Sequence, residues 1–244
     1  MQALILAGGR GTRLHPYTLV FPKPMLPVGG QPIIRTIVDQ LTNNGFQDIV
    51  VSLGYLGNYI RMFFDESGNT PAGTTISYIV EPEPLGTAAP VSLIPEPEEN
   101  FLVLNGDILT TVNFSDLYSF HLNHSATLTI AVGVKRVKMN LGVVNFSEQD
   151  HLISSISEKP TYTYYDNIGI YVYNRRALEY IKPGQRLDLP DLANKLINAG
   201  EKVCGFSSSE PYYWIDIGQH ADYEKANQEF ESRRDDFIGK TDRK

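Results

Sequence analysis

Short apolar runs alternate with amphipathic segments along most of this chain, and that alternation narrows the fold more than any other feature. Strand-like runs fall at 2–7, 48–53, 75–80, 101–105, 126–135, 141–146, 151–157, 166–173 and 202–206. Helical patterns fall at 31–44, 55–64, 115–123, 174–181, 188–199 and 219–233. Strands alternating with helices imply βα units and a mainly parallel sheet. The stretch 31–44 is the clearest helix: Pro32 suits its first turn, Ile33, Ile34, Ile37, Val38 and Leu41 form one apolar stripe, and Gly45 ends it. Between 126 and 157 consecutive strand-like runs have no helix between them, so antiparallel additions and a mixed sheet are expected. With 244 residues, the chain has enough material for one sizeable α/β domain.

Composition excludes several classes. The single cysteine, Cys204, rules out an intramolecular disulfide framework and reads as a core residue. No apolar run reaches membrane-spanning length. Met1-Gln2 leads directly into a strand-like run, with no basic segment ahead of it, so no signal peptide is read and a cytoplasmic location is expected. A net charge of −7 disfavours nucleic acid as the main partner. Charge is also unevenly spread: residues 62–134 hold no Lys or Arg and nine carboxylates. Cations for an anionic ligand must therefore come from the first thirty residues or from beyond Lys135, and the carboxylates between are available for metal.

Two segments carry candidate chemistry. Leu6-Ala7-Gly8-Gly9-Arg10-Gly11-Thr12-Arg13-Leu14 directly follows the first strand-like run. Glycines at a strand's carboxyl end let backbone N–H groups approach phosphate oxygens, and Arg13 can contact phosphate through two nitrogens. The segment is neither a Walker A loop nor a dinucleotide fingerprint. It equally suits a plain glycine turn with a solvated arginine. Ten residues beyond Arg13 comes Phe21-Pro22-Lys23-Pro24, whose prolines stiffen the backbone around Lys23 and favour an extended path. Downstream, Phe101–Leu104 reads as a buried strand stopped by Asn105-Gly106-Asp107. In Trp214-Ile215-Asp216, alternation puts Trp214 and Asp216 on one face. Each aspartate suits either a structural turn or a metal.

Gly-Gly-x-Gly-Thr-Arg-Leu followed by Pro-Lys-Pro resembles the sugar-1-phosphate nucleotidyltransferases, in look closest to the mannose- and heptose-1-phosphate guanylyltransferases. The resemblance continues through Pro84-Leu85-Gly86-Thr87-Ala88, Leu104–Asp107, Leu141–Val144, Glu158-Lys159-Pro160, Asn167–Tyr171 and Trp214–Gly218, in family order. It implies a single Rossmann-like α/β domain, with a mixed, mainly parallel central sheet flanked by helices. It also implies NTP and sugar 1-phosphate as substrates, giving NDP-sugar and pyrophosphate, with Mg²⁺ as cofactor. By the same resemblance Arg13, Lys23, Asp107 and Asp216 are catalytic, with Asp107 and Asp216 holding the metal and Arg13 and Lys23 the nucleotide phosphates. Leu6, Ala7, Gly8, Gly9, Gly11, Thr12, Glu83, Leu85, Gly86 and Thr87 would bind the nucleotide. Gly142, Glu158, Lys159 and Asn167 would bind the sugar phosphate.

The form Glu-x-Pro-Leu-Gly-Thr-Ala, here Glu81 to Ala88, resembles the guanylyl branch, with Glu83 a candidate acceptor for guanine N–H groups. Uridylyl and thymidylyl relatives are alternatives within the family, and so is a member of another functional class, a catalytically silent nucleotide-sugar-binding regulatory subunit that keeps the fold. The silent reading predicts loss of Arg13, Lys23, Asp107 or Asp216, and all four are present. Leu141 and Ile168 stand where relatives usually carry Tyr and Ala, so the sugar is left open, as is homo-oligomerisation. The expected boundaries are a catalytic domain over 1–235 and a polar tail over 236–244, with no β-helical acetyltransferase part following. His121 and His124, spaced as a helical pair without a third ligand, read as structural or solvated.

Overall fold

The computed structural model describes residues 1–208 and 210–238. β1 (Gln2–Ala7) leads into 3₁₀ turns at Thr12–Leu14, Tyr17–Leu19 and Lys23–Met25. A small hairpin of β2 (Pro27–Val28) and β3 (Gln31–Pro32) precedes α1 (Ile33–Asn43), β4 (Asp48–Leu53), α2 (Asn58–Asp65) and β5 (Thr75–Val80). Next come β6 (Asn100–Asn105), β7 (Ile108–Thr110), α3 (Phe114–His124), β8 (Leu128–Lys138), β9 (Val143–Phe146), β10 (Ile153–Ser157) and β11 (Thr161–Asn174). The chain continues through α4 (Leu189–Asn198), β12 (Val203–Phe206), β13 (Trp214–Asp216), α5 (His220–Ser232) and α6 (Arg234–Ile238).

The central sheet has seven strands in the order β12-β8-β11-β6-β1-β4-β5. All run one way except β11, which is antiparallel to both β8 and β6. The α/β architecture and the mixed sheet are as expected. The central strands β1, β4 and β6 are buried on both faces, which is why they read as nearly continuous apolar runs. In β1, Ala3, Ile5 and Ala7 join the core beneath α1 and α5, while Leu4 faces the core beneath α4. β6 divides likewise, with Leu102 and Leu104 on one side and Phe101 and Val103 on the other. Connections from β1 run outward through β4 to β5, and β6 then returns to the opposite side of β1. A crevice at the carboxyl ends of β1 and β6 follows from that reversal, and it is where α/β sheets place ligands.

Several expectations are corrected. Of the runs between 126 and 157, only β8 enters the sheet. β9 and β10 pair with each other as a separate ribbon, because β8 and β11 pair directly as far out as Lys138 and Thr161. The segment expected as helix 174–181 is a 3₁₀ stretch, Arg175–Tyr180. Gln31 and Pro32 belong to the hairpin, so α1 begins at Ile33 with Pro32 as its cap residue. Cys204 lies half-buried in the edge strand β12 rather than in the core. The folded chain continues past 235: Phe237 of α6 is buried against Phe230 and Tyr213, with ring centroids 5.6 and 5.7 Å away. Residues 239–244 of the expected tail lie outside the described residues. Among the described residues no helix is long and apolar enough to cross a membrane.

Candidate active site

The crevice beyond β1 and β6 holds a cavity of about 420 Å³. Its floor is the glycine-rich segment, with Leu6, Ala7, Gly8, Gly9, Gly11, Thr12 and Arg13 lining it; Glu81, Gly86 and Thr87 form one wall and Asp107 the inner end. A second cavity of about 220 Å³ adjoins it and is lined by Asn167, Trp214 and Asp216. Thr87 and Asn105 line both cavities. Glycine at position 8 leaves room for the Glu81 carboxylate, which a Cβ there would displace.

Lys23 joins the two cavities. Its ammonium contacts Asp107 Oδ2 and lies 3.2 Å from Asp216 Oδ1. Lys23 is only 9% exposed, a degree of burial that lysine tolerates when paired. Pro22 is extended as expected, but Lys23–Met25 closes a 3₁₀ turn through Met25 N–H donating to Pro22 O at 2.8 Å. Antiparallel pairing of β13 with β7 sets Asp216 opposite Ile108, and Ile217 N–H donates to Asp107 O at 3.1 Å. That pairing brings the two aspartates together. Burial pushes the Asp107 carboxyl above the usual carboxylate range; the Lys23 ammonium opposes the shift and the Asp216 charge adds to it. Asp107 Oδ1 is buried without a hydrogen-bond partner. An orphaned carboxylate oxygen beside a second carboxylate fits a hard divalent cation, so the pair suits Mg²⁺.

Other expected residues fall elsewhere. Glu83 is exposed and lines neither cavity; Glu81 takes the place expected of it. Glu81 accepts from Ser52 Oγ at 2.7 Å and from Leu85 N–H at 3.2 Å, which holds its carboxylate at the cavity wall. Leu85 is buried in the core beside α4 and lines neither cavity. Gly142, Glu158 and Lys159 lie at the turns flanking the β9–β10 ribbon and line neither cavity; the exposed Glu158 and Lys159 face each other at 3.8 Å. Sequence reasoning missed Arg186 and Asp188, which line the larger cavity. An Asp just ahead of Leu189-Pro190 is a helix-entry signal, and it marked the position without marking the cavity.

The nucleotidyl transferase family model matches residues 2–233. A probable mannose-1-phosphate guanylyltransferase 3 of Oryza sativa subsp. japonica is 34% identical over 236 residues, covering 91% of this chain and 63% of that protein. This chain thus spans less than two thirds of that relative's length. A D-glycero-alpha-D-manno-heptose 1-phosphate guanylyltransferase of Aneurinibacillus thermoaerophilus is 30% identical over 234 residues, covering 95% of this chain and 99% of that one. Among solved structures, HddC from Yersinia pseudotuberculosis superposes with a TM-score of 0.71 at 27% identity, over 94% of this chain and 99% of that one. The same protein complexed with GMP-PN gives a TM-score of 0.68.

Proposed function

The chain belongs to the nucleotidyl transferase family, and from that premise we propose that it transfers a guanylyl group from GTP to a hexose or heptose 1-phosphate, forming GDP-sugar and pyrophosphate. One observation carries the reading. Two adjoining cavities share a wall at Thr87 and Asn105, and Lys23 bridges a carboxylate of each. A two-substrate transfer needs such a seam, with the reacting phosphorus where the cavities meet. The guanylyltransferase relatives, and the likeness to HddC complexed with GMP-PN, support guanine as the base.

A phosphate oxygen of the sugar phosphate attacks the α-phosphorus of GTP. The bond from that phosphorus to the oxygen bridging the β-phosphate breaks, and its electron pair leaves with pyrophosphate. The attacking phosphate is mostly a dianion at neutral pH, so no general base is required. Catalysis then rests on positioning and charge neutralisation. Backbone N–H groups of Gly8–Thr12, with Arg13, hold the nucleotide phosphates. Lys23 stabilises charge gathering between the substrates. Asp107 and Asp216 would hold Mg²⁺, which when bound supplies further neutralisation at the α-phosphate. Asn167, which lines the smaller cavity, orients the sugar there. Glu81 offers its carboxylate to the guanine N1–H and N2–H₂ groups.

Chromatography of reaction products tests this reading. GTP with mannose or heptose 1-phosphate should yield GDP-sugar and pyrophosphate in equal amounts, and GTP alone should yield neither. Pyrophosphate release without the sugar phosphate would contradict transfer.

A further inference from the structure

Thr87 borders both cavities, and its position is set by a segment about a hundred residues away. Asp188 Oδ1 accepts from the Thr87 backbone N–H at 3.2 Å, and the Leu189 N–H donates to Thr87 Oγ1 at 2.9 Å. Leu187 N–H donates to Leu85 O, and Leu187 O accepts from Ala88 N–H, both at 2.9 Å. Asp188 is the residue that enters α4, yet its carboxylate makes no capping bond to that helix. Thr87 caps the helix from outside, and Asp188 is turned onto the loop. Its second oxygen, Oδ2, accepts from Arg186 Nη2 at 2.9 Å. Gly86 has φ +86, and a Cβ there would lie 2.6 Å from both Asp188 Oδ1 and Leu187 O. Only glycine allows the two segments this approach.

We infer that Asp188 is a positioning residue: acting through Thr87, it fixes the wall common to the two cavities, so that both substrates depend on it. The inference rests on the transferase reading above. Backbone pairing of Leu85 and Ala88 with Leu187 does not involve the Asp188 side chain, so the loop stays attached without it. What is lost is the placement of Thr87, and small displacements of a substrate-bearing wall cost about tenfold or more in binding or rate.

The test compares wild type with Asp188→Ala, Asp188→Asn and Asp188→Glu by calorimetric GTP binding, KM for sugar phosphate and thermal unfolding. Asn keeps an acceptor for the Thr87 N–H; Glu keeps the charge but moves its oxygens by one methylene. Asp188→Ala and Asp188→Glu should both weaken GTP binding and raise the sugar-phosphate KM by about tenfold, and Asp188→Asn should recover most of both. Unchanged GTP affinity or an unchanged sugar-phosphate KM in folded Asp188→Ala or Asp188→Glu overturns the inference, because Asp188 lines only the larger cavity and reaches the smaller one through Thr87; Asp188→Asn no better than Asp188→Glu overturns it too. The Asn and Glu comparison decides the matter even where the Ala protein fails to fold. Wild-type protein that binds GTP but makes no GDP-sugar would count against the reaction alone, because the binding comparison stands without turnover.

Discussion

Lys23 Nζ lies 3.2 Å from Asp216 Oδ1 although the two residues are 193 apart in sequence. The same ammonium contacts Asp107, so one buried lysine ties together a carboxylate from each cavity, Asp107 inside and Asp216 half-exposed. Removing it leaves two like charges facing each other. Lys23→Met should therefore raise the pKa of Asp107 further, and it should abolish most turnover while the protein still folds. Kinetics beside a thermal melt check this. A Lys23→Met protein with wild-type kcat would show that the ammonium is only structural.

The aspartates predict a metal dependence. Asp107→Asn or Asp216→Asn should lower kcat by on the order of 10²-fold, the scale of losing a principal electrostatic stabiliser. Chelation of Mg²⁺ should stop turnover by the wild-type protein. Turnover by Asp107→Asn at the wild-type rate in chelator would remove both residues from the metal assignment.

His121 predicts a pH dependence of stability. It is 1% exposed, with its Nδ1 2.8 Å from Thr129 Oγ1 and its Nε2 3.1 Å from Asn100 Oδ1. Asn100 Oδ1 also accepts from Asn174 Nδ2, so the imidazole donates through Nε2 and accepts at Nδ1 as a neutral ring. Burial lowers its pKa from 6.5 to about 4. Below pH 6.5 the unfolded chain takes up a proton that the folded chain refuses, so this contribution to stability falls as pH drops towards 4 and levels off beneath. Between pH 7 and 5 the loss should be about 2 kcal/mol. Urea midpoints of wild type and His121→Gln at the two pH values measure it; equal pH slopes would rule out the histidine as the cause.

Phe237 predicts that the fold needs residues beyond 235. Phe237→Ala should cost about 3 kcal/mol, as expected for a buried aromatic. Denaturant unfolding reads this directly, and a cost under about 0.5 kcal/mol, ordinary for a surface change, would return α6 to the status of a tail.

How far the sequence disclosed all this differs by element. The spans 2–7, 48–53 and 75–80 coincide with β1, β4 and β5. Most of these residues are apolar and strands β1 and β4 are covered on both faces, so local composition alone carries the signal. β9 and β10 were visible as strands, but their partner is a tertiary choice, set where β8 and β11 continue past the sheet. The 3₁₀ stretch 175–180 has the same apolar spacing as a short helix. Lys23, Asp107 and Asp216 were legible as separate motif residues. Their meeting depends on the β7–β13 pairing, which no short-range pattern encodes. Glu81 and Glu83 share one motif, and only the backbone path after β5 decides that Glu81 lines the cavity.

Guanylyl transfer is read out by comparing kcat/KM for GTP, UTP, dTTP and CTP against mannose and heptose 1-phosphates, followed by pyrophosphate release. GTP should lead, because a site whose buried polar groups pair with one base edge is penalised by an analogue that leaves them unpaired. Glu81→Gln should narrow that lead. If UTP or dTTP exceeds GTP by about tenfold, a difference of roughly 1.4 kcal/mol, the guanylyl assignment is contradicted.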